Sequence, residues 1–223
     1  MKDYKNITLE SEIVKKINSF NKTRENRIEM SKRLKKYNNQ WQFIFFFLNI
    51  EAVAFILLSI GGMNVNNLFG SQLFIIYTGI FSIYVILLQY YVSCLNYNER
   101  ALKLHYHQLE IEDQILKLKE LIINSKELEK GGDYRRIEIF NSIMYKYQLS
   151  LKNNENHKSI DFRIAESNNT KRKSEDNNTN NDSEKEIKTN KFNISTVDKS
   201  LDNILVKINM LFIFIAIGLI YFL

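Results

Sequence analysis

The sequence predicts an all-α protein: a transmembrane helical hairpin, long cytoplasmic stalk helices and a C-terminal hydrophobic helix. Three observations carry this. The chain of 223 residues is 45% hydrophobic, with a mean hydropathy of -0.27, yet its apolar residues are gathered into three blocks separated by very polar stretches. Between Lys36 and Glu99 the only formally charged side chain is Glu51, and an interval so poor in charge suits lipid rather than water. The sequence has no Pro and only 7 Gly, which removes the usual punctuation of sheets and tight turns and leaves long helices.

The elements follow in chain order. Residues 1–41 carry two amphipathic stripes, Leu9, Ile13, Ile17 and Phe20, then Met30, Leu34, Tyr37 and Trp41, each at spacings of three and four. They predict N-terminal cytoplasmic helices, the second of which runs into the membrane with Trp41 as interfacial anchor. Residues 42–95 form the hairpin. Its first span is Gln42 to Gly61 and its second Leu73 to Leu95, joined by GMNVNNLFGSQ, a short uncharged turn rich in Gly and Asn. A helix of about 20 residues covers ~30 Å of hydrocarbon, enough to cross. Eleven Lys or Arg precede Gln42, four of them at Lys32, Arg33, Lys35 and Lys36, and the turn has none. That asymmetry places both ends of the hairpin, and the N-terminus, in the cytoplasm.

Residues 96–163 predict a cytoplasmic helical hairpin. The stripe Leu104, Ile111, Ile115, Leu118 and Ile122 makes a stalk continuous with the second span, Gly131 and Gly132 break it, and Phe140, Met144, Tyr147 and Leu151 fold back upon it. Residues 164–194, rich in Asn, Lys, Glu and Ser, offer almost nothing apolar to bury and read as a disordered linker. Residues 195–223 begin with a capping box of Ser195 and Asp198 and end in sixteen uncharged residues after Lys207, a third span of marginal length.

Composition also excludes function classes. The net charge of +6 is spread along helices with acids interleaved and without aromatic stacking clusters, so no nucleic acid is expected as a partner. The single Cys94 permits no internal disulfide and reads as packing. The start MKDYKNITLE lacks the apolar core of a signal peptide, so the first span must itself direct insertion. His105 and His107, two apart, do not share a helical face, and His157 brings no completing carboxylate, so no metal and no cofactor are expected. Without a phosphate loop, a nucleophile elbow or a paired-carboxylate constellation, no enzyme is expected either.

Glu51 is the most informative side chain, because a carboxylate at mid-membrane costs on the order of 3 kcal/mol. In the second span Thr78, Ser82, Gln89 and Ser93 recur at spacings of four, seven and four, with Ser82 about as deep as Glu51. Two readings stand. In one, several hairpins assemble with Asn49, Glu51 and this stripe lining or gating an ion path; in the other the same residues are glue between helices.

The order of these parts resembles the SLATT family, two-transmembrane effectors associated with SMODS nucleotidyltransferases and SLOG sensors in bacterial conflict systems. The resemblance covers about Ile28 to Arg163. It is carried by MSKRLKKYNNQW, the hairpin, YNERALKLHYHQLE and YQLSLKNNENHKSID, whose Tyr147, Asn156, His157 and Asp161 resemble a family signature. The residues alone give the NENH stretch a helix C-cap and turn, with His157 bonded locally.

The resemblance implies a pore-forming or membrane-disrupting effector in the bacterial inner membrane, multi-pass and homo-oligomeric, that arrests a phage-infected cell when a sensor protein or nucleotide signal acts on its cytoplasmic part. The lipid bilayer is then its first partner. The rival reading is a membrane-anchored scaffold whose cytoplasmic coiled coil recruits a soluble protein. The third hydrophobic segment lies outside the two-helix core for which the family is named.

Overall fold

The computed structural model describes residues 8–124, 132–178 and 198–222. Among them the regular structure is six α-helices and one 3-10 turn, without a strand: α1 (Leu9–Gly61), the turn Gly62–Asn64, α2 (Gln72–Cys94), α3 (Tyr97–Ile123), α4 (Gly132–Lys152), α5 (Ser159–Asn178) and α6 (Leu201–Phe222). Three helical stretches are long and apolar enough to cross a membrane, in α1, α2 and α6. The chain divides into two compact units, one from Met1–Lys32 and Ala101–Val197, the other from Arg33–Arg100 and Asp198–Leu223.

The first, polar unit is organised by the expected stripes. Thr8 starts α1 by accepting the Ser11 N–H at 3.2 Å, and Glu10 and Glu12 complement the helix dipole in the first turn. Ile13 and Phe20 of α1, Ile111, Ile115, Leu118 and Leu121 of α3, and Ile143 and Tyr147 of α4 make one core, flanked by Leu9, Ile17, Phe140, Met144 and Leu151. The two stripes thus meet, as expected of an αα-hairpin, with the start of α1 as a third member.

The second, membrane unit holds the hairpin and α6. Buried positions recur along α1 every seven residues, at Ile13, Phe20 and Arg27 in the polar unit and at Leu34, Trp41, Leu48 and Phe55 in the membrane unit. Tyr37, Ile44 and Glu51 fill the alternate places of the same seam. On α2 the buried face is Thr78, Phe81, Val85, Leu88 and Val92, and Phe55 meets Phe74, Tyr77 and Phe81 edge-on, ring centroids 6.1, 5.8 and 5.2 Å away. The turn depends on two glycines: Gly62 sits at φ +52, and a Cβ on Gly70 would lie 2.6 Å from Met63 Cγ and 2.9 Å from its backbone nitrogen. Ser71 caps α2 by accepting the Phe74 N–H at 3.3 Å.

Four boundaries differ from the sequence expectation. The second N-terminal stripe runs into the first span as expected, but the first stripe belongs to the same helix, α1, so no break separates the two N-terminal helices; no Gly or Pro interrupts residues 9–60. The stalk, in contrast, is not continuous with the second span. Asn96 adopts φ 47, the left-handed region that Asn tolerates, and its carbonyl accepts the Arg100 N–H at 3.0 Å to begin α3. The polar segment expected to be disordered from residue 164 is helical to Asn178; its continuation, residues 179–197, lies outside the described residues, as do Gly131 and Ser195. The cap of α6 is Ser200, whose Oγ accepts the Asn203 N–H at 3.4 Å while Asp198 accepts the Ser200 N–H at 2.9 Å.

Candidate functional site

In the membrane unit, α1 turns Glu51 inward between Leu48 and Phe55. It is 3% exposed, and neither carboxyl oxygen has a hydrogen-bond partner. The polar residues of α2 do not relieve it. Thr78 is buried, but its hydroxyl donates to the Phe74 carbonyl at 2.9 Å; Ser82, half-buried, donates to the Thr78 carbonyl at 2.9 Å. Both hydroxyl donors are thus taken by their own helix. Ser93 donates to the Tyr90 carbonyl at 2.7 Å and is exposed. Gln89 and Asn49 are exposed as well. The six candidates therefore separate: Glu51, Thr78 and Ser82 face the interior of this unit, and Asn49, Gln89 and Ser93 its surface.

The unit carries polar bonds that sequence reasoning missed, all to the approach and body of α6. The Tyr84 hydroxyl donates to Asn209 Oδ1 at 2.7 Å, and the Tyr97 hydroxyl to Asp202 Oδ1 at 2.8 Å. The Tyr37 hydroxyl donates to Asp198 and lies 3.0 Å from Ser200 Oγ. Burial, with the Asp198 bond, pushes the Tyr37 phenol up to about 12. Burial alone would raise the Asp198 carboxyl, but the Tyr37 and Ser200 bonds and the field of Arg33 outweigh it and hold it below its ordinary value. Tyr37→Phe and Tyr97→Phe are each expected to loosen α6 by about 1 kcal/mol, and more where the carboxylate is left without a donor. Thermal unfolding of the detergent-solubilised chain checks this; unchanged midpoints in both variants would mean that α6 is held by apolar packing alone.

In the polar unit the signature residues gather around a side chain that the sequence does not single out. Arg27 is 1% exposed and its Nη1 donates to the Glu155 carbonyl in the turn between α4 and α5. Burial lowers its pKa, and Tyr147, Glu155 and Asp161 act against that. Tyr147 stacks on Phe20 at 3.6 Å between centroids and its hydroxyl lies 2.9 Å from Thr23 Oγ1. Asp161, fully buried, caps α5 by accepting the Lys158 N–H at 2.9 Å. His157 bonds Asn26 at 3.3 Å, a contact across the fold and not the local bond expected from sequence. Asn154, donating to the Ser150 carbonyl at 2.8 Å, supplies the C-cap. Of the four signature residues Tyr147 and Asp161 are buried, whereas Asn156 and His157 are exposed.

His107 belongs to the same neighbourhood. It is 2% exposed, its Nε2 lies 3.1 Å from Ser150 Oγ and its Nδ1 is buried without a partner. Burial, then the charges of Arg27 and Lys103, push it down to about 4. Because the folded imidazole resists the proton that the unfolded chain accepts near pH 6.5, its contribution is complete above that pH and is lost as pH falls towards 4. At about 1.4 kcal/mol per unit, the loss is on the order of 3 kcal/mol. Wild type is therefore expected to lose midpoint stability between pH 7 and 4.5 faster than His107→Gln, and parallel profiles would contradict the assignment.

The sequence matches the family described as SMODS and SLOG-associating 2TM effector domain family 5 over residues 9–223, a span that includes α6. No curated protein and no solved structure matches it.

Proposed function

The chain belongs to this SLATT family of two-transmembrane effectors of conflict systems, and from that membership we propose that it is a pore-forming effector of a bacterial anti-phage response. In this reading it lies in the inner membrane with its N-terminus in the cytoplasm, several copies assemble, and a sensor protein or nucleotide signal acting on the polar unit opens an ion path through the hairpins.

Glu51 is the observation that carries the reading. A carboxyl serving as glue between helices would be bonded across the interface, and this one has no donor. A buried polar group left unmatched in this way costs free energy, and water entering along an opened hairpin would supply what the closed arrangement withholds. The handle for a signal is the clamped turn at Glu155 and His157, held to α1 by Arg27 and Asn26. Glu51 lies on that same uninterrupted helix. A ligand that prefers the released turn shifts the population towards it in proportion to its differential affinity.

The test is membrane potential in bacteria expressing the chain with and without infection, with insertion verified in the same cells. Loss of potential on infection supports the proposal. Infected cells that arrest with their ion gradients intact would leave the hairpin as an anchor for the polar unit.

A further inference from the structure

Where α1 enters its span and α2 leaves its own, a cleft of about 430 Å³ opens beside the Leu95–Asn96 break. Trp41, Phe45 and Val92 give it apolar walls, and Gln42, Gln89, Asn38, Asn98 and Glu99 are among its polar lining. Four groups of this lining are unmatched among the described residues. Trp41 is 2% exposed and its indole N–H has no acceptor, although buried indole N–H groups ordinarily find one. Glu99 makes no ion pair among the described residues, including with Lys103 one turn further along α3. The Asn38 and Asn98 amides likewise bond to no other side chain.

We propose that this cleft binds one phospholipid bearing a primary ammonium headgroup, such as phosphatidylethanolamine. Each part of that molecule answers a group in the lining. The acyl chains continue along Phe45 and Val92 into the hydrocarbon. The ester or phosphate oxygens accept from the Trp41 N–H and the two amides. The ammonium, with three donors, meets the Glu99 carboxylate. Choline carries the same charge without N–H donors, and a glycerol headgroup leaves the lipid anionic before Glu99, so both fit less well. The site exists because Asn96 turns out of the helix between α2 and α3; an unbroken helix would carry the chain past it. The proposal rests on the hairpin crossing a bilayer and not on what the hairpin conducts.

Native mass spectrometry of the full-length chain, purified in detergent and offered phosphatidylethanolamine, phosphatidylcholine and phosphatidylglycerol at equal ratios, tests it. Wild type should retain the ethanolamine lipid over either competitor by roughly fivefold or more, the factor for about 1 kcal/mol of charge-assisted bonding. Glu99→Gln should bring ethanolamine and choline lipids to within about twofold, and Trp41→Phe, which keeps an aromatic side chain of smaller size and removes the donor, should weaken retention of all three. Circular dichroism confirms that both variants keep their helices. Equal retention of the three lipids by wild type overturns the site, as does an undiminished ethanolamine preference in Glu99→Gln. Preference for the glycerol lipid also overturns it, and would assign the lipid contact to Lys35 and Lys36 instead.

Discussion

Glu51→Gln is expected to insert and accumulate like wild type and to lower infection-dependent depolarisation by about tenfold or more, the scale on which a pore charge governs cation passage. The glutamine matches the carboxyl in size and stays polar, so the buried face of α1 at Leu48 and Phe55 has no reason to repack. What it removes is the capacity to present a negative charge to a wetted path. Glu51→Asp should retain depolarisation. Glu51→Leu should lose it and also raise the thermal midpoint, because an unpartnered polar group is replaced by an apolar one at a position 3% exposed; the gain is on the order of 1–3 kcal/mol. Potential traces of Glu51→Gln that superimpose on wild type would remove the carboxyl from any ion path.

Arg27→Met carries the other large effect, on the polar unit. The methionine keeps the stem and its packing against neighbours but deletes the guanidinium that holds the Glu155 carbonyl and lies in the field of Asp161, itself fully buried. Losing a hydrogen bond from a charged, buried donor costs roughly 1.5–3 kcal/mol. The polar unit should therefore unfold at distinctly lower denaturant, and the turn around Glu155 should become the first site of proteolytic cutting. If the variant cuts and unfolds as wild type does, Arg27 is not what clamps the turn.

The two apolar spans and the meeting of the Leu104–Ile122 and Phe140–Leu151 stripes were legible because each depends on local spacing, three and four along a helix or a charge-free run of twenty. Arg27 was not. In sequence it is one of eleven cations ahead of the first span, and its acceptor at Glu155 lies 128 residues away. Its place on a seven-residue seam through Phe20 and Leu34 was the available signal, for a cation on an otherwise apolar seam asks for a buried acceptor. The break at Asn96 escaped because nothing but an asparagine marks it, and Asn tolerates the left-handed region without demanding it. The helix through Asn178 escaped because a polar segment reveals little by hydrophobic pattern; its tie, Asn169 to Glu25 at 2.5 Å, joins residues 144 apart in sequence.

The short turn closed by Gly62 and Gly70 has a physiological consequence. With the orientation proposed above, it is all that the hairpin offers to the outside, and it carries neither charge nor a segment long enough to fold around a ligand. In the proposed orientation the hairpin thus gives an extracellular ligand nothing to grip, and the signal proposed above would reach it from the cytoplasmic side.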